Sequence, residues 1–312
     1  MARVYCVGEL LIDFIPGTEK DSYIKKAGGA PANVAVAVAR NGVDASLACK
    51  VGNDDFGRFL LDTMKEQGVT VATPEMIDEA ITTLAFVSLT PEGERSFTFA
   101  RKPGADMFLK AEEIKDEDIM ESDIIHAGSL TLQKTPSRDA TITALRKGHE
   151  MGKLVSFDIN YRPNLWNGEK EKAMESVESI FPYINMLKIS DEETDFVGGI
   201  ENIHDFMEKN DIPLVVETLG GEGSRAFFNG KEVRAEGFKA KVVDTTGAGD
   251  AFWGAFMACL LLQGVRKPAD LTDEILYKAL RYGNASGSIC VSNKGAIASI
   301  PTREQIEELL GR

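Results

Sequence analysis

Apolar and polar positions recur along this chain in one order: a short apolar run, a break, then an amphipathic stretch. Residues 4–7 read as a strand, and β character resumes at 10–12 beyond a break at Gly8. After a second break at 28–31, residues 32–40 (ANVAVAVAR) predict a helix and 45–51 a strand. Residues 56–67 carry an amphipathic helical pattern that Gly68 closes as a C-cap. Strands are then predicted at 124–126, 154–158, 186–189 and 214–218, with helices at 137–151, 169–180 and 203–209 among them. Two late helices are expected near 275–288 and 303–310. Such alternation builds a mostly parallel sheet with helices on both faces, an α/β fold. Right-handed crossovers bring the strand ends, and any ligand, to one edge of that sheet.

One region departs from the rhythm. Residues 82–89 and 96–100, joined by PEGER with its Pro91 and Gly93, read as a β-hairpin. Segments of approximately 14–27 and 80–106 together predict a small β appendage on a single α/β domain spanning 1–312. No repeat, linker or low-complexity stretch interrupts it.

Composition narrows the function classes. The chain is 43% hydrophobic and 27% charged, as globular proteins are, and its net charge is −14. An acidic surface repels nucleic acid and anionic lipid, so neither is expected as a partner. Cys6, Cys49, Cys259 and Cys290 lie far apart and read as buried small hydrophobes in a reducing, cytoplasmic setting. His149-Glu150 lacks the second histidine of a zinc-hydrolase HExxH. The opening MARVYCVGELLID has too short an apolar segment for a secretory signal and ends in acids, so a strand is expected there. No apolar run approaches the ~18 residues of a membrane helix. Asn284-Ala285-Ser286 matches a glycosylation sequon and is read as chance.

Three glycine-rich breaks carry candidate chemistry. AGGAPANVAV (27–36) lets backbone approach a ligand closely and offers the donor and acceptor of Asn33. ETLGGEGS (217–224) follows an apolar strand but lacks the Gly-Lys-Ser/Thr ending of a Walker A loop and GxGxxG spacing. DTTGAGDAF (244–252) opens an overwhelmingly apolar helix. That helix has unpaired N-terminal N–H groups and a positive dipole end. Gly247 and Gly249 let those N–H groups converge into an anion nest. Asp250 then has two readings: an acid complementing the dipole, or a base taking a proton from an attacking hydroxyl beside the nest. A base and an anion cradle together are what phosphoryl transfer from a nucleotide requires. Asp55-Phe56-Gly57 spells DFG, but no HRD segment precedes it, so it does not mark a protein kinase.

These breaks, in this order, resemble the PfkB, or ribokinase-like, family of carbohydrate kinases over essentially the whole chain. AGGAPANVAVAVARNG is similar to the family's N-terminal signature and DTTGAGDAFWGAF to its specific C-terminal one. GELLIDF, VGNDDFG, ETLGGEG and NKGAIASIP fall in family order. The resemblance implies a three-layer α/β/α core, a small β-sheet lid, and ATP-dependent phosphorylation of a sugar hydroxyl. GGAPANVAVAVAR, FARKPGADM (99–107) and FDINYRPNLW (157–166) are most similar to fructokinases. Kinases of 2-keto-3-deoxygluconate share the last of these. A nucleoside kinase stacking its substrate on Phe97 and Phe99, and an inactive sugar-binding regulator, are the remaining alternatives.

Matching positions imply roles. Asp250 is the base, and the N–H groups of Gly247, Ala248 and Gly249 form the anion hole. Asp13, Gly28, Gly29 and Asn33 contact the sugar, and Arg101 and Arg162 meet sugar oxygens or nucleotide phosphates on the substrate side. Lys188, Thr218, Gly220, Gly223 and Asn284 lie along the nucleotide. The family's Asn-x-x-Glu, which organises Mg2+ through water, reads Ser190-Asp-Glu-Glu193 here. Serine thus replaces the asparagine; Mg2+ is still expected, because it must neutralise the ATP phosphates, with Glu193 acting through water and not as a direct ligand. Asp244, Thr246 and Gly295 match a region that binds a monovalent cation in many relatives, which leaves K+ open. Edge strands of the lid suggest a homodimer.

Overall fold

The computed structural model describes residues 2–19, 21–89 and 95–311, and the side chains of these apart from 88, 89 and 95–97. The expected hairpin turn with Pro91 and Gly93, and the Phe97 ring, lie outside what is described. In chain order the strands are β1 (Arg3–Val7), β2 (Leu11–Pro16), β3 (Tyr23–Gly28), β4 (Asp44–Ala48), β5 (Val69–Val71), β6 (Leu84–Leu89) and β7 (Arg95–Ala100). They continue as β8 (Ile124–Gly128), β9 (Leu154–Asp158), β10 (Met186–Ser190), β11 (Leu214–Thr218), β12 (Gly223–Phe228) and β13 (Lys231–Glu236).

Nine strands form the large sheet, ordered β13-β12-β11-β10-β9-β8-β1-β4-β5. It is parallel from β11 to β5, while β12 and β13 run antiparallel at one edge. Its central strands are buried on both faces, which explains their unbroken apolar runs. The two-residue period of a strand divides them between two cores. Val4 and Cys6 join the core containing the helices Ala30–Arg40, Ala248–Leu262 and Asp273–Cys290. Tyr5 and Val7 join the opposite one, with Ala140, Ala144 and Leu145 of the helix Ser137–Glu150. Strand order reverses at β1, so the crevice beyond its carboxyl end is where a ligand is expected.

The small sheet has the order β3-β2-β6-β7. Its β2 continues almost directly from β1, so the appendage grows out of that crevice. Phe14 stacks on Phe86 at 4.9 Å and meets the Phe56 ring edge-on at 5.8 Å, seating the sheet on the helix Asp55–Glu66. The NDDFG stretch also has a structural role. Asp54 caps that helix through Gly57 N–H (2.7 Å) and accepts Thr82 N–H and Oγ1 (both 2.8 Å) at the root of the small sheet. Among the described residues, no helix is long and apolar enough to cross a membrane.

Candidate active site

The helix Ala248–Leu262 is buried at every residue from Asp250 to Leu261. It lies against the helices Ala30–Arg40 and Asp273–Cys290, and its start points at the crevice. Gly247 caps it at φ 77°, in the left-handed region, where a Cβ would come within 2.8 Å of the Ala296 Cβ. Asp244 pins the turn before it: Oδ1 accepts Thr246 N–H at 2.7 Å and Oδ2 accepts Gly295 N–H at 3.0 Å. The three residues matched to a cation site are thus joined directly. Ala248 N–H already reaches Thr245 O at 3.3 Å, so an anion there competes with a long bond.

Asp250 is buried, and its Oδ2 accepts Asn33 Nδ2–H at 2.8 Å. Asn33 belongs to the first turn of the helix Ala30–Arg40, which starts after Gly29 at φ 112°. Burial pushes the Asp250 carboxyl up to about 6, against the opposing pull of the Asn33 bond, Lys188 and Arg162. Burial, reinforced by Asp244 and Asp250, pushes Asp13 up to about 7. Below Asp250, Trp253 Nε1–H donates to Ser156 Oγ at 2.9 Å, and His126 Nδ1 lies 3.0 Å from the same hydroxyl. Burial lowers His126 to about 4, so this ring is neutral and serves to anchor the helix start to the sheet.

Lys188 forms a buried pair with Asp158 at 2.9 Å. Burial alone would weaken its ammonium, but Asp158, Glu193 and Asp250 more than offset this and hold it above the usual lysine range. A Cβ on Gly249 would lie 3.4 Å from its Nζ, so the ammonium faces the helix start.

Two cavities converge there. One, of about 560 Å³, is lined by Asp13, Gly29, Asn33, Arg162, Lys188 and Asp250. The other, of about 320 Å³, is lined by Thr218, Gly220, Gly223, Ala248 and Asn284. Thr245 and Gly249 border both. The arrangement puts a carboxylate on one side of a helix start and a glycine-walled slot on the other, with the helix N–H groups between them. Chemically it suits transfer of an anionic group between two bound molecules.

Several expected residues sit differently. Gly28 is behind Asp13, where a Cβ would fall 2.2 Å from Oδ2. Lys188, matched to the nucleotide, lines the larger cavity beside Gly249. Asn284 lines the smaller one, but its amide is committed to Ser224 Oγ (2.8 Å) and the Ala235 (3.0 Å) and Glu236 (3.2 Å) carbonyls, holding the antiparallel edge in place. Arg101 is absent from both cavities and pairs with Asp106 at 2.6 Å. Glu193 accepts Tyr161 N–H (2.6 Å) and Ser190 N–H (2.8 Å), while its neighbour Glu192 faces the larger cavity. Among the described residues no cluster of acids, histidines and cysteines could hold a metal by itself.

Sequence reading passed over Glu9 and Ser129, which line the larger cavity, and Phe238, which lines the smaller. Glu9 Oε1 accepts Ala30 N–H at 2.9 Å, and burial pushes its carboxyl up to about 7. Its position just past the end of β1 was the one available signal.

The chain is similar to known proteins over almost its whole length. A family model described as pfkB family carbohydrate kinase matches residues 1–303. Fructokinase-1 of Zea mays is 38% identical over 318 residues, covering 98% of this chain and 97% of that protein. The structure of fructokinase from Xylella fastidiosa with bound ATP superposes with a TM-score of 0.90 at 31% identity, covering 99% of this chain and 98% of the other. That of Vibrio cholerae O395 fructokinase in its fructose, ADP and calcium ion bound form gives 0.87 at 33% identity, covering 99% of both.

Proposed function

The chain belongs to the pfkB family of carbohydrate kinases, and from that premise we propose that it transfers the terminal phosphoryl group of ATP to a hydroxyl of fructose. The observation that carries this reading is the meeting of two cavities at Gly249, beside Asp250. Fructose occupies the larger cavity, its hydroxyls donating to Asp13 and Asn33 Oδ1. The latter is a buried oxygen without a protein partner. ATP lies along Thr218, Gly220 and Gly223, with its phosphates toward the helix start. Asp250 accepts the hydroxyl proton as the oxygen attacks in line, and the N–H groups at Gly247 and Gly249, joined by Ala248, hold the transferred charge. Lys188 adds a fixed positive charge on the same side. Mg2+ fits as a companion of the ATP phosphates, neutralising them when bound, since Glu193 already spends its carboxylate on two backbone N–H groups.

Charge in the larger cavity favours fructose over 2-keto-3-deoxygluconate. Glu9, Asp13, Glu192 and Asp250 face it, and of its two cations Lys188 is tied to Asp158. A neutral polyol donates to such acceptors, whereas the carboxylate of an acid substrate meets a predominantly acidic lining. A coupled ADP-release assay over fructose, 2-keto-3-deoxygluconate, ribose, tagatose and adenosine should give the highest kcat/KM for fructose, at least ~10-fold above the acid. Preference for any other acceptor overturns the substrate assignment and leaves the kinase assignment standing.

Two smaller readings accompany this one. Asp244 links Thr246 to Gly295 behind the anion hole, and K+ near that carboxylate would hold the turn; replacing K+ by choline in the assay tests it. Exposed Tyr23 and Ile24 on edge strand β3 suit a lid-to-lid homodimer, which sedimentation of the protein and a Tyr23→Lys, Ile24→Lys variant tests. The four buried cysteines suit a reducing cytoplasm.

A further inference from the structure

Asp106 is the acid of the PGAD segment, and its side chain is fully buried. One carboxylate oxygen accepts Arg101 Nε–H (2.9 Å) and Nη2–H (2.6 Å), and the other accepts the hydroxyl of Thr83. Thr83 immediately precedes β6 and Arg101 immediately follows β7, so a single carboxylate grips both stems of the hairpin. The chain of bonds continues. Arg101 Nη1–H donates to Gln133 Oε1, and Gln133 Nε2–H donates to the Leu165 carbonyl. Leu165 N–H closes a turn on Arg162 O at 2.9 Å.

One end of this chain of bonds lines the larger cavity, and the other adjoins a strand that does. Phe99, two residues before Arg101, lines it from the small sheet, and Arg162, Asn164 and Leu165 line it from the opposite loop. A buried ion pair contributes little net stability unless its hydrogen bonds are satisfied, and here the guanidinium and carboxylate are both spent on named partners. The pair is better explained by the geometry it imposes. We propose that Asp106 and Gln133 are positioning residues for the sugar: through Arg101 they fix the small sheet relative to the loop that carries Arg162. This rests on the sugar-kinase reading above.

Gln133 provides the test, because removing Asp106 would strand a buried arginine. Gln133→Ala should raise the KM for fructose roughly tenfold, as loss of the hydrogen-bonded link would, with the KM for ATP within about twofold. Gln133→Glu keeps an acceptor for Arg101 but has no donor for Leu165 O, so it should behave like Gln133→Ala. A role confined to supporting Arg101 would instead be rescued by Glu. Combining Gln133→Ala with Arg162→Ala should be less than additive, because both act through one loop. Unchanged fructose KM in folded Gln133→Ala, rescue by Glu, or full additivity would each overturn the proposal. If the wild-type protein shows no sugar-dependent ADP release, the functional reading fails instead, so the two failures are distinguishable.

Discussion

Asp250→Asn should lower kcat at least ~100-fold while fructose and ATP bind nearly as before. Asparagine is isosteric, and its carbonyl oxygen can still accept the Asn33 Nδ2–H that now reaches Oδ2 at 2.8 Å. What it lacks is basicity. The wild-type carboxyl is raised to about 6, which leaves it ionised at neutral pH yet a far better proton acceptor than a solvent-exposed aspartate. The sign for pH follows. Protonation removes the base, so kcat/KM should fall as pH drops through about 7 toward about 6, where Asp13 and then Asp250 take up protons. Titration calorimetry with each ligand and steady-state kinetics on the variant provide the check. Near-wild-type turnover would remove Asp250 from the mechanism.

The second large effect is expected at Gly247. An alanine there must hold φ near 77° and bring its Cβ within 2.8 Å of Ala296 Cβ. The left-handed conformation costs roughly 1–2 kcal/mol without Gly, and relief of the clash moves the turn that aims the N–H groups. Loss of one aligned donor to a developing charge costs about 10²–10³ in kcat. Gly247→Ala is expected in that range, with a lower melting temperature. Gly264→Ala is the control: it imposes the same left-handed backbone, at φ 87°, past the far end of the helix with nothing within 4 Å of its Cβ, so the loss should be smaller. Equal or reversed losses would mean that the Gly247 turn does not shape the anion site.

Much of this was readable before the fold was known, for physical reasons. β9 and β11 were delimited to the residue because buried parallel strands are continuous apolar runs between breaks. The antiparallel pair β12 and β13 was missed because Arg225, Glu232 and Arg234 on that edge disguise the apolar alternation. The strand expected over 45–51 stops at Ala48, since Cys49 N–H turns aside to Thr73 Oγ1 at 3.0 Å. In the site, the glycine turn and the acid at a buried helix start were legible because Gly247, Gly249 and Asp250 are contiguous in sequence. Glu9, which bonds Ala30, and Gln133, which bonds Arg101 and Leu165, act across long stretches of sequence that no local pattern reveals. Arg101 illustrates the converse. Its motif suggested a sugar contact, and the structure pairs it with Asp106 outside the two cavities.

The central claim, that this chain moves a phosphoryl group from ATP to fructose, is tested most directly by phosphorus NMR. Purified protein, ATP, Mg2+ and fructose should yield ADP and a fructose phosphate ester in equal amounts, with inorganic phosphate at trace level. ADP accompanied by inorganic phosphate in place of the ester, or no ADP at all, would contradict it.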